Sequence, residues 1–129
     1  MIIKVFDSDL VIDSDLVEEA EEEIKRQVEE FLNGDRRSFD LDFSFPGGAT
    51  GHILKEMNNI PYGETRTYGK LAEKLGSSAI AVGQVCARNP LPLFIACHRV
   101  VGKDSIGGYQ AGERAKRKLL EFEKGQVTT

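Results

Sequence analysis

Two hydroxyl side chains, Thr67 and Ser78, bracket a short apolar stretch and a glycine, and this punctuation constrains the fold more than any other feature of the chain. Each can start a helix by accepting a hydrogen bond from a backbone N–H that the first turn leaves unpaired. Thr67 predicts a helix over 68–75, Gly76 breaks it, and Ser78 predicts a second helix to about Arg88. Two short helices across a glycine-containing turn form a helix-turn-helix. The small residues Ala79, Ala81, Gly83 and Ala87 permit close approach, either to a ligand backbone or to a neighbouring helix.

Around this pair the chain divides at Pro46-Gly47-Gly48. Residues 1–46 read as a small α/β scaffold segment. Met1–Phe6 is β-prone, with Leu10–Ile12 as its partner. Asp15 is a candidate N-cap for a helix reaching about Leu32, where Val17, Ala20, Ile24, Val28, Phe31 and Leu32 recur near helical spacing. Phe39, Leu41, Phe43 and Phe45 alternate with polar residues, the pattern of a half-buried strand. Residues 47–129 read as mainly helical, with a helix over about 50–58 ahead of Pro61 and a last one from about Glu113 to Lys124.

No apolar run is long enough to span a bilayer, and the N-terminus lacks a signal-peptide pattern. Cys86 and Cys97 make no disulfide framework, so a reducing, cytoplasmic setting is expected. With His52 and His98 they match no zinc spacing, and no metal is expected. Charge is unevenly shared. Residues 1–46 carry 14 Asp and Glu against 5 Lys and Arg, whereas residues 47–129 carry 7 against 12. The basic part is the one suited to a polyanion, although ordinary surface solvation gives the same balance.

Chemistry concentrates at Ile95-Ala-Cys-His-Arg-Val-Val101. The apolar run Leu91–Ile95 holds Cys97 on a buried element that stops at His98 and Arg99. A neighbouring histidine can take a thiol's proton and make it nucleophilic, though a small buried thiol also serves packing alone. Ala115, Leu119 and Glu123 fall at i, i+4 and i+8, on one face of the last helix. A buried carboxylate needs a partner, and His98 is the obvious one. Glu123 on one ring nitrogen would fix the tautomer and leave the other as base. The alternative is a solvent-facing Glu in the last turn.

These segments line up with Ile60-Pro-Tyr-Gly-Glu-Thr-Arg-Thr-Tyr-Gly69, Ala81-Val-Gly83, Arg88-Asn-Pro-Leu-Pro92 and Gly107-Gly-Tyr109. In that order and with nearly matching spacing, roughly residues 48 to 124 resemble the DNA-binding and active-site domain of the O6-alkylguanine-DNA alkyltransferases. The resemblance implies an α/β chain: a small N-terminal α/β segment, then a winged-helix-like DNA-binding domain containing the helix-turn-helix. It implies irreversible, single-turnover transfer of an alkyl group from O6-alkylguanine to Cys97, with no cofactor and no membrane, by a monomer on double-stranded DNA. Cys97, His98 and Glu123 match nucleophile, base and orienting acid. Tyr68 and Lys116 match positions that serve the departing base. A base inside a duplex must be rotated out to meet a buried thiol. The resemblance places Ile80, Ala81, Gly83, Gln84 and Arg88 on a helix in the minor groove. It makes Asn89 a structural hinge, with Gly107, Gly108 and Tyr109 as one wall over the extruded base and Pro92 as the other. Tyr68 is otherwise an ordinary packed aromatic, Lys116 a solvated charge and the glycines a turn.

Two positions depart from the family pattern. Ala96 stands where a proline usually precedes the cysteine, and Ile80 stands where an arginine usually fills the gap left by the flipped base. The altered Ile80 leaves room for a non-catalytic, lesion-binding relative. A helix-turn-helix regulator with a redox cysteine is the other reading, and it would call for a dimerisation helix or a resolving cysteine.

Overall fold

The computed structural model describes residues 1–128, a mixed α/β chain of five helices and two small sheets. β1 (Ile2–Val5) and β2 (Ser8–Val11) form an antiparallel hairpin with Ile2 opposite Val11. Alternation sends Ile3, Val5 and Leu10 into the core and leaves Ile2 and Val11 exposed.

α1 runs over Glu21–Leu32 and starts later than expected, after Ala20. Asp15 is not its cap. Ser14–Leu16 instead form a 3₁₀ turn, and Val17 is extended, buried and bridged to Phe43. Burying Val17 against Phe43 thus overrides the local capping preference. Three glutamates, Glu21 to Glu23, occupy the first turn of α1, where the helix dipole favours negative charge.

The Phe39–Phe45 segment shows alternating burial but forms no strand beyond that single bridge. Side chains take the place of a ladder. Buried Gln27 donates to the Asp40 carbonyl at 2.9 Å and accepts from the Asp40 N–H at 2.8 Å. Glu19 accepts from the Asp42 N–H at 2.8 Å. The half-buried face carries Phe39, whose ring stacks on Phe31 at 4.9 Å and meets Phe94 edge-on at 4.8 Å.

α2 (Gly48–Asn58) is followed by β3 (Arg66–Thr67), α3 (Tyr68–Leu75) and α4 (Ala79–Ala87). Both expected caps are formed: Thr67 accepts from the Lys70 N–H and Ser78 from the Ala81 N–H, each at 3.1 Å. Gly76 ends α3 at φ 65°, a left-handed conformation that costs glycine little. β3 pairs in parallel with β4 (Val100–Val101), Arg66 opposite Val100 and Thr67 opposite Val101. This short ladder joins the entrance of α3 to the exit of the 3₁₀ turn Cys97–Arg99. α5 (Glu113–Thr128) continues four residues past the expected Lys124. One hydrophobic cluster runs from Ile3 on the hairpin to Leu119 on α5, so both segments share a core. Among the described residues no helix is long and apolar enough to cross a membrane.

Candidate active site

Every residue from Leu91 to Val100 is buried. Leu93 adopts φ 79°, a strained conformation for a leucine. Asn89, at the end of α4, holds this irregular run in shape. Its amide donates to the Ile95 carbonyl and its oxygen accepts from the Leu91 N–H, both at 3.0 Å. Asn89 therefore ties the helix-turn-helix to the cysteine turn. Burial pushes the Cys97 thiol up, with Asn89 and the Lys116 charge pulling the other way.

His98 stands next to Cys97 in sequence. His98 and Glu123 are both fully buried, with His98 Nε2 and Glu123 Oε2 2.6 Å apart. Burial opposes ionisation of Glu123 most, yet the hydrogen bonds and charges of His98 and Arg99 bring it down to about 2. Burial is also the chief reason that His98 lies below its usual range. A carboxylate facing Nε2 requires that nitrogen to carry the hydrogen, which leaves Nδ1 with a lone pair. Nδ1 is buried and has no hydrogen-bond partner.

Arg99, which sequence reasoning missed, completes the cluster. Its Nε donates to Glu123 Oε1 at 2.8 Å and Nη2 to Oε2 at 3.1 Å, while Nη1 reaches the Ile60 carbonyl at 2.9 Å. The Gly63 N–H adds a fourth contact to Glu123 at 3.2 Å. The rule that exposed Glu123, a buried charge in search of a partner, applies equally to an arginine inside a buried run.

A cavity of about 360 Å³ opens over Cys97, lined also by Tyr68, Gly83, Cys86, Ala87, Gly108, Tyr109 and Gln110. Lys116 is buried beneath it, donating to the carbonyls of Val100 at 2.5 Å and Gly108 at 3.1 Å and to the Tyr68 hydroxyl at 3.4 Å. With its nitrogen thus committed, Lys116 is no solvated charge, and burial lowers its proton affinity. Gly107 sits at φ 79°, and a Cβ there would collide with the Tyr68 hydroxyl. Gln110 donates to the Asn89 carbonyl at 2.8 Å, joining the wall of the cavity to the end of α4.

Tyr68, Gly108 and Tyr109 thus meet around Cys97, and Gly83, expected on the groove-facing helix, lines the same cavity. Pro92 does not line the cavity; it is buried in a bridge with Ile95. Ala81 is half-buried, while Gln84 and Arg88 are exposed along α4 and Ile80 is 75% exposed near its start. Cys86 faces inward, 3.7 Å from the Met57 sulfur, and burial pushes its thiol up to about 12.

Comparison with known proteins places this arrangement. The family description "6-O-methylguanine DNA methyltransferase, DNA binding domain" matches residues 49–125. The chain belongs to the 6-O-methylguanine DNA methyltransferase family. The methylated-DNA–protein-cysteine methyltransferase of Archaeoglobus fulgidus is 40% identical over 111 residues, covering 81% of this chain and 76% of that methyltransferase. The namesake from Methanocaldococcus vulcanius is 49% identical over 75 residues, covering 58% of this chain and 47% of the relative. In three dimensions the chain is similar to Mycobacterium tuberculosis OGT in complex with DNA, with a TM-score of 0.76 at 35% identity. That match covers 81% of this chain and 68% of the OGT chain. The methyltransferase family thus accounts for most of the chain, including the cysteine turn, the helix-turn-helix and α5.

Proposed function

We propose that this protein repairs O6-alkylguanine in double-stranded DNA by transferring the alkyl group, irreversibly, to Cys97. The observation that carries this reading is a buried thiol at a cavity, followed in the chain by a histidine whose one nitrogen is held by Glu123 and whose other is unpartnered. His98 Nδ1 takes the thiol proton. The sulfur attacks the alkyl carbon, the C–O6 bond breaks, and its electron pair leaves with the guanine. Lys116 donates to the Tyr68 oxygen, so the tyrosine's own proton is free to point at the departing base. The thioether has no good leaving group, and one molecule repairs one lesion.

The lining residues span 68–110, which supports residues 47–129 as the DNA-binding and active-site part and residues 1–46 as scaffold. Ile80, Ala81, Gln84 and Arg88 offer α4 to the minor groove, and Gly83, Gly108 and Tyr109 receive the base. Action as a monomer in a reducing, cytoplasmic setting completes the proposal. A relative that binds lesions without repairing them would have no use for a positioned cysteine, so that reading is disfavoured.

On a duplex carrying O6-methylguanine, repair should stop at one lesion per protein molecule. Continued turnover, or no repair at all, would sink the proposal.

Ile80 gives a second expected result. Its exposed apolar side chain can enter the vacated stack but cannot hydrogen-bond the orphaned base. Ile80→Ala should slow repair in duplex DNA by up to about 10-fold, because unstacking costs a few kcal/mol, and should leave single-stranded repair nearly unchanged. Equal slowing on both substrates would assign gap-filling to another residue of α4.

A further inference from the structure

Three residues make four contacts with the Glu123 carboxylate, and of the three only His98 belongs to the proton-transfer step. Arg99 is the strongest of the other contacts. It meets both oxygens in a buried, forked geometry, the arrangement in which arginine is least replaceable. Its guanidinium also lies 5.5 Å from the centre of the Tyr62 ring. That ring carries Arg37 at 5.3 Å, and Arg37 donates to the Gln126 carbonyl on α5 at 3.0 Å. The N-terminal segment is thereby connected to the catalytic cluster.

We propose that Arg99 is a positioning residue for the transfer reaction. Its grip fixes Glu123 against His98 and offsets the carboxylate's charge, so that the imidazole waits as a base. The inference deepens the alkyl-transfer reading and rests on it for the identity of the reaction.

The argument is one of charge balance in a site without solvent. A lone carboxylate 2.6 Å from an imidazole would favour the imidazolium, and an imidazolium cannot accept the thiol's proton. The groups facing His98 sort by direction. Glu123 on α5 pushes its proton affinity up, whereas burial, Arg99 on its own turn and Lys116 on α5 push it down. Tyr109, from the loop before α5, faces the ring edge-on at 6.2 Å with its hydroxyl held neutral by burial. Cys97, on the same turn, has its thiol pushed up by burial. Without Arg99, only burial and Lys116 oppose the carboxylate. Lys116 lies at the Tyr68 end of the cavity, where it is engaged with two carbonyls.

The test uses the intact chain and does not depend on repair. With only His52 and His98 present, proton NMR follows both imidazoles across a pH titration, and His52→Asn assigns them. Arg99→Gln should raise the pH at which His98 titrates by about one unit or more, the usual effect of losing a neighbouring positive charge. The acidic limb of the single-turnover rate should move up with it. Arg99→Lys keeps the charge without the fork, so it should restore the titration towards wild type while transfer stays slower than wild type. His52, exposed on α2, is the internal control. An unchanged His98 titration in Arg99→Gln would overturn the proposal. If that variant does not fold, Arg99→Lys decides: a wild-type rate across the pH range would mean that the fork positions nothing. Absence of transfer by the wild type would refute the reaction, and the titration would still report on Arg99.

Discussion

Cys97→Ala is expected to abolish alkyl transfer and leave binding to duplex DNA unchanged. The cavity holds a second thiol, so the result is not trivial. Cys86 lines the same space, but burial pushes it up to about 12 and its sulfur lies against Met57. No imidazole follows it in the chain, where Ala87 stands. Only Cys97 has His98 beside it. The substitution removes one buried sulfur, a loss of about 1 kcal/mol in stability, which a folded domain tolerates. In the proposed complex, binding rests on residues of α4, which the change does not touch. Transfer assays and DNA affinity measured on the same preparation separate the two effects, and residual transfer would assign the acceptor role to Cys86.

The second large effect is expected at Glu123. Glu123→Gln keeps the shape but leaves Arg99 as a buried charge without a counter-ion, a loss of roughly 3–5 kcal/mol. It also removes the group that holds the hydrogen on His98 Nε2. Transfer should therefore fall by about 100-fold or more, as in other sites where the orienting acid is neutralised. Combining Glu123→Gln with His98→Ala should be little worse than the more damaging single change, because the two act as a unit. Fully additive losses would contradict that coupling.

Acid sensitivity follows with a definite sign. The Glu123 carboxyl is held at about 2 against an ordinary 4.5, so the unfolded chain binds its proton first. Its contribution to stability is complete above the unfolded value and disappears as pH falls through the folded one. His98 lies below its ordinary 6.5, so the unfolded state also takes up that proton more readily as pH falls. Both groups weaken the fold towards acid. Acid denaturation followed by circular dichroism should show a flatter dependence on pH below 4.5 in Glu123→Gln than in wild type.

Local signals carried much of this structure into the sequence. Thr67 and Ser78 cap helices through their own side chains, so they announce α3 and α4 without help from the rest of the molecule. The i, i+4, i+8 spacing of Ala115, Leu119 and Glu123 likewise describes a single helix face. Features set by distant partners were not legible. α1 begins late because Val17 bridges Phe43, and the Phe39–Phe45 stretch stays outside a sheet because Gln27 and Glu19 satisfy its backbone. No local pattern reports such pairings. Pro92 has the same character: its place against Ile95 depends on a run bent by Leu93 at φ 79°. At the site, the Cys97–His98 adjacency was plain. Arg99 was legible by the same rule as Glu123, since a charge inside a buried run needs a partner, but His98 already satisfied the search for one.

The most direct test of the account is the intact mass of the protein after incubation with one equivalent of O6-methylguanine duplex, followed by peptide mapping. The account predicts the mass gain of a single methyl group, located on Cys97, with the guanine restored in the DNA. Unchanged mass, or a methyl group located on Cys86, would contradict it.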